Sequence, residues 1–144
     1  MASDDIYTPP SVFDALGLEF DLDVCAPENK LPWIPAKRHY SLKDDGLAQP
    51  WEGLVWCNPP YSKPSPWIDK FINHNNGIML VQISRSKAIK QLWEHADGIA
   101  LQPTGFKFIN PELKPHAIFM VVMFFSMGEV ATEALNKSGF GRVR

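Results

Sequence analysis

No stretch of the chain approaches the roughly 20 consecutive apolar residues that a helix needs to cross a bilayer, so no membrane partner is expected. Cysteine is scarce. Cys25 and Cys57 are too few for a disulfide framework, and His39, His74, His95 and His116 are scattered without metal-type spacing, so no metal site is expected. The first residues, Met1 to Asp5, lack the basic and apolar regions of a signal peptide, which places the expected compartment in a cytosol. Positive charge is not in excess either. The net charge is −2, whereas a protein that held nucleic acid by bulk charge would be basic. Any nucleic-acid binding must then rest on a local basic patch and a shaped pocket. Internal repeats and low-complexity tracts are also lacking.

What is present suits one compact domain over residues 1–144: 45% of the residues are hydrophobic, 12% aromatic and only 21% charged. The 13 prolines are the clearest bias. They cluster at boundaries, because proline punctuates elements rather than sitting inside them. Thr8-Pro9-Pro10-Ser11 opens a short helix, Val12 to Leu16, which Gly17 ends. Phe20 to Cys25 reads as a strand, Pro27 to Pro50 as a long irregular stretch, and Gly53 to Cys57 as a buried strand. A helix is predicted over Lys63 to Asn75, with Trp67, Ile68, Phe71 and Ile72 at helical spacing. Gly77 to Ile83 reads as another buried strand. Ser86 to Ala96 reads as a helix with Ile89, Leu92 and Trp93 on one face. Gly98 to Leu101 and Phe106 to Ile109 are short strand candidates, Ala117 to Phe125 is the strongest strand, and Glu129 to Lys137 is a helix. Trp67, Phe71, Trp93 and the Ala117 to Phe125 run are assigned to the core, and the two cysteines to buried strand ends.

Apolar strands alternating with helices imply an α/β fold with a parallel sheet, and such sheets bind ligands beyond the carboxyl ends of their strands. The residues after Cys25, Cys57 and Ile83 are therefore the places to search. After Cys57 comes Asn58-Pro59-Pro60-Tyr61. This pattern suits chemistry on an amino group such as that of adenine, whose lone pair is delocalised into the ring. Two acceptors on its N–H bonds, the Asn58 side-chain oxygen and a backbone carbonyl such as that of Pro59, would free that lone pair. The prolines hold the turn stiff, so little ordering entropy is lost on binding. Tyr61 offers a flat face to the base, which must be out of the duplex. The plainer alternative is an ordinary turn after a buried strand. The preceding strand, the asparagine and the aromatic together favour the chemical reading.

With that motif in hand, the chain resembles the phage-type DNA N6-adenine methyltransferases, the small Dam-like family. The matching pieces are Tyr7-Thr8-Pro9-Pro10, Phe13 to Leu16, Phe20 to Ala26, Asp45-Gly46-Leu47, Trp51, Val55 to Ser62 and Phe106-Lys107-Phe108. They are dense from Tyr7 to Trp67 and thin afterwards. The resemblance implies a single-domain, reduced Rossmann-like methyltransferase fold: a mostly parallel sheet flanked by helices, with an antiparallel strand near the C-terminus. It implies S-adenosylmethionine as methyl donor, double-stranded DNA as partner and, for a phage-encoded chain, the host cytoplasm. The family's cofactor segments map onto Tyr7, Thr8 and Pro9, and onto Asp23, Val24 and Cys25. Asp23, at a strand end, is placed to take the donor's charged amino group. Two departures stand out. The turn Asp-Val-Cys-Ala-Pro lacks the glycines that usually follow the first strand. The interval from Cys25 to Asn58 is also too short for two further strand–helix units. The ribose-holding carboxylate is not evident, and Asp44 or Asp45 is the candidate.

A sizeable target-recognition domain does not fit, so base selection falls to loops. Ser62, Lys63, Arg85 and Lys87 are the candidate DNA contacts, with solvated basic residues beside a helix cap as the alternative for the last two. Other acceptors for the same motif are a protein glutamine amide, RNA adenine and a cytosine amino group. A non-catalytic cofactor- or DNA-binding remnant of the fold is the alternative outside catalysis.

Overall fold

The structure is a computed structural model and describes residues 7–28, 31–103, 105–116 and 121–140. Helix α1, Pro10–Leu16, starts two residues earlier than the sequence suggests, because Pro10 at the first helical position has a preset φ and needs no N–H partner, while Pro9 is its extended N-cap. It ends at Gly17, whose left-handed φ of 63° lets its N–H cap the Phe13 carbonyl.

Strand β1 is Phe20–Asp23. It stops two residues short of expectation, because the Asp23 carboxylate accepts the Cys25 N–H at 3.2 Å and turns the chain. The stretch read as irregular from Pro27 to Pro50 contains a strand, β2, Ala36–His39. Its Lys37 and Arg38 are exposed on the sheet's edge, so the apolar signature of a buried strand is missing. A 3-10 turn at Leu42–Asp44 follows. Next come β3, Val55–Cys57, helix α2, Ser65–His74, and β4, Gly77–Gln82. Helix α3, Lys87–His95, is capped by the Ser86 hydroxyl, which accepts the Ile89 N–H. After β5, Gly98–Leu101, a small hairpin pairs β6, Phe108–Ile109, with β7, Pro115–His116. Strand β8 is Val122–Met127, later than the expected Ala117 to Phe125; residues 117–120 lie outside those described. Helix α4 is Glu129–Lys137.

The main sheet has the order β2-β1-β3-β4-β8-β5. The first four strands are parallel, and β8 runs antiparallel between β4 and β5. Alternate residues serve opposite faces. Met79, Val81, Met123 and Phe125 pack with α2 and α3, while Ile78, Leu80, Val122 and Phe124 pack with α1 and α4. The expected core residues Trp67 and Phe71 are buried. Trp93 is not: it is 47% exposed, because the buried stripe of α3 runs through Ala88, Ile89 and Leu92 and leaves Trp93 at its margin. Among the described residues, no helix is long and apolar enough to cross a membrane.

The topology fixes where a ligand can enter. From β1 the chain goes to one side to form β2, then crosses β1 to form β3 on the other. Loops leaving β1 and β3 therefore diverge, opening a crevice at their carboxyl ends. The crossing segment, residues 40–54, takes the place of a crossover helix. Its Trp51 packs in the same core cluster as Leu22, Val24 and Trp67, with Tyr40 and Leu47 against it.

Candidate active site

A cavity of about 450 Å³ occupies the β1/β3 crevice. Along one wall, β3 delivers Asn58, Pro59, Pro60 and Tyr61 in succession. Asn58 Nδ2 donates to the Thr8 hydroxyl at 3.3 Å. Thr8 is itself 2% exposed, and its carbonyl accepts the Trp33 indole N–H at 2.8 Å. With the amide oriented that way, Asn58 Oδ1 is buried and has no hydrogen-bond partner among the described residues. A buried acceptor left bare costs free energy unless a ligand satisfies it. Tyr61 packs T-shaped against Phe108 of the β6–β7 hairpin at 6.0 Å, and burial pushes its phenol well above the usual range. Tyr7 ties the same hairpin down through paired backbone bonds with Ile109.

On the opposite wall stands Asp23, 2% exposed at the end of β1. Burial raises its carboxyl to a pKa of about 7, against the opposing pull of the Cys25 N–H. No cation pairs with it among the described residues. Cys25 lines the cavity beside it and is half-buried, while Cys57 behind is fully buried with its thiol pushed up by desolvation.

The structure sorts the remaining expected residues. Tyr7, Thr8 and Asp45 line the cavity; Val24, Asp44 and Pro9 do not. Val24 is wholly buried in the core. The Asp44 carboxylate is turned back to accept the Ser41 N–H at 2.8 Å, closing a capping box. Pro9 faces a different groove, shared with Phe106 and Phe140. Of the two carboxylates considered for the ribose, Asp45, held at a φ of 54°, is the one facing the cavity. Ser62 and Lys63 are exposed in the turn before α2. Arg85 borders a separate groove beside α3, and Lys87 is exposed at that helix's first turn.

Sequence reasoning missed Glu28, Ser41 and Leu42 on the rim and Gly46 in the roof. Gly46 answers the puzzle of the turn without glycines. A Cβ there would overlap the Val24 carbonyl oxygen, so the close approach is made by the segment laid over the turn rather than by the turn itself. That segment is pinned: Trp51 Nε1 donates to Gly46 O at 2.8 Å, and Lys70 from α2 donates to the carbonyls of Leu47 and Gln49. The signal was available, since Asp45-Gly46-Leu47 is one of the matching pieces.

Comparison with known proteins decides the family. One family model, described as DNA N-6-adenine-methyltransferase (Dam), matches residues 1–117. The chain belongs to this family. A curated relative, the DNA N-6-adenine-methyltransferase of Haemophilus phage HP1 (strain HP1c1), is 32% identical over 69 residues. That match covers 44% of this chain and 38% of the relative. The family model spans both walls of the cavity, from Thr8 and Asp23 to Asn58 and Tyr61, and also the hairpin against which Tyr61 packs.

Proposed function

We propose that the chain transfers a methyl group from S-adenosylmethionine to the N6 amino group of an adenine flipped out of DNA. The observation that carries this reading is Asn58 Oδ1, a buried and unpartnered acceptor on the wall of a cavity at the sheet's switch point. An exocyclic amino group supplies the missing donor. Accepting from it localises the N6 lone pair, and the Thr8 bond engages the amide nitrogen and leaves Oδ1 as the free acceptor. The stiff Pro59-Pro60 turn keeps this acceptor in place before the base arrives. Tyr61, braced by Phe108, is the aromatic wall against which the base rests.

The residues present fit the donor. Asp23 is a buried carboxyl in want of a cation, and an ammonium group would draw it into its charged form. Asp45 is available to ribose hydroxyls, and Leu31, Ile34 and Trp56 give the cavity an apolar lining for a purine. When bound, S-adenosylmethionine supplies an electrophilic methyl on a sulfonium. Asn58 Oδ1 and a carbonyl of the Pro59-Pro60 turn would accept from the N6 protons while Asp23 would hold the donor's ammonium group, so that N6 could take up that methyl in exchange for one proton. Ser62, Lys63, Arg85 and Lys87 are proposed as phosphate contacts that orient the DNA.

The test is incubation of the protein with unmethylated duplex DNA and methyl-labelled S-adenosylmethionine, followed by mass spectrometry of the digested nucleosides. Labelled N6-methyladenine from the parent chain, formed about 10²–10³-fold more slowly with Asn58→Ala, is the expected result. Donor binding without any methylated nucleoside would sink the DNA reading.

A further inference from the structure

We propose that the groove beside α3 binds a nucleic-acid strand, with Trp93 stacking on an unpaired base and Arg85 and Lys90 contacting its phosphates. This rests on the reading of DNA as acceptor and names where the strand runs beyond the methylated adenine. The groove, about 260 Å³, has Arg85, Lys90 and Trp93 on its sides and Ile83, Ile89 and Met123 among its apolar residues. Trp51, Trp56 and Trp67 are each 9% exposed or less, whereas Trp93 is 47% exposed. Its indole offers a flat aromatic surface that only another flat group can cover well.

Charge selects the occupant. The chain as a whole carries −2, yet the turn and helix from Ser84 to His95 hold Arg85, Lys87 and Lys90 against the single acid Glu94. Cations around an aromatic platform are the combination that binds single strands: phosphates meet the cations, and a base of any identity stacks. Position agrees with this. The groove opens at the carboxyl end of β4, which pairs in parallel with β3, the strand that delivers Asn58. From β3 across β4 to β8 is two strand spacings, roughly 10 Å. That is about three nucleotides, so a strand with its adenine in the cavity reaches the groove where it is single-stranded beyond that adenine.

The probe is a single strand of thymidines only, which has no amino group for the Asn58 site. The parent is expected to bind it and to lose the part of its acrylamide quenching that is missing from Trp93→Ala, since Trp33 is also partly exposed. Trp93→Ala should weaken binding about tenfold. Arg85→Ala and Lys90→Gln should each lower the salt slope by about 0.7. Asn58→Ala should lower methyl transfer about 10²–10³-fold but leave this binding intact. A parent that methylates duplex DNA but ignores the thymidine strand, or binds it equally well as Trp93→Ala, overturns the groove and leaves the methyltransferase reading standing. A parent that binds the strand through Trp93 but methylates no DNA upholds the groove and sinks the acceptor assignment. Equal protection of Trp93 by polyglutamate would show a site for acidic chains rather than bases, and would also overturn the proposal.

Discussion

At the Asn58 end of the cavity, four consecutive residues leave a buried strand, with Thr8 holding the Asn58 amide and Phe108 bracing Tyr61. At the Asp23 end, the strand contributes one carboxylate, and the rest of the wall comes from a segment that reaches α2 through Trp51 and Lys70. The first end takes its chemical groups from one contiguous, proline-stiffened segment, though Thr8 and Phe108 brace it from far along the chain; the second divides its groups between β1 and the separate segment laid over it. An acceptor for an amino group must be set before the base arrives, because any later adjustment costs rate. A cation site tolerates looser construction, since charge attraction depends less steeply on geometry than a hydrogen bond does.

The sharpest way to separate the two ends is to break the first. Asn58→Ala should lower the rate of methyl transfer by about 10²–10³-fold, the scale of losing one preorganised polar group. Donor affinity, measured by calorimetry, should stay within a few-fold of the parent. Loss of donor binding as well would show that the ends are not independent.

Asp23 sharpens the contrast in the other direction. Asp23→Asn should weaken donor binding by about ten- to a hundredfold, the worth of a hydrogen bond to a charged group. In the parent, donor affinity should rise with pH up to about 7 and level off above, because below that pH the incoming cation must displace the carboxyl's proton. Stability runs the opposite way. The carboxyl keeps its proton to about pH 7 when folded but only to 3.8 when unfolded, so the unfolded chain binds fewer protons between those values. Stability therefore falls as pH rises from 3.8 to 7 and stays low above. Asparagine carries no such penalty and can keep the bond from Cys25 N–H. The variant should then be more stable than the parent above pH 7, by up to about 4 kcal/mol. Thermal melts from pH 4 to 8 test this, and a gap that does not widen toward pH 7 would refute the buried-carboxyl account.

Gly46→Ala should act on the roof alone. The new methyl meets backbone at Val24, which cannot step aside as a flexible side chain would. A cost of about 1–3 kcal/mol is expected, read as a lower Tm with weakened donor binding. Transfer measured at saturating donor should change far less.

The same difference explains what could be read from the sequence. Asn58 to Tyr61 were legible because strand, acceptor, prolines and aromatic are contiguous. Helices α2, α3 and α4 were legible from apolar spacing and caps, and the buried strands from apolar runs. Strand β2 was not, because an edge strand with exposed Lys37 and Arg38 carries no apolar pattern. Nor was the choice between Asp44 and Asp45, adjacent carboxylates that the chain sends in opposite directions through one capping box. Trp93 misled because it lies four residues after Ile89, at the margin of the buried stripe rather than within it.

The smallest effect tests whether the stiffness of the Asn58 end matters for its own sake. Thr8→Val keeps the volume and removes the acceptor of Asn58 Nδ2. The amide then loses one hydrogen bond, worth about 1 kcal/mol, and can rotate to present its nitrogen where the oxygen should be. Methyl transfer should fall about five- to tenfold, with donor affinity unchanged and Tm lowered only slightly. Thr8→Ser, which retains the hydroxyl, should recover most of the rate. If valine and serine behave alike, the Thr8 bond is incidental, and the orientation of Asn58 must be set by the Pro59-Pro60 turn alone.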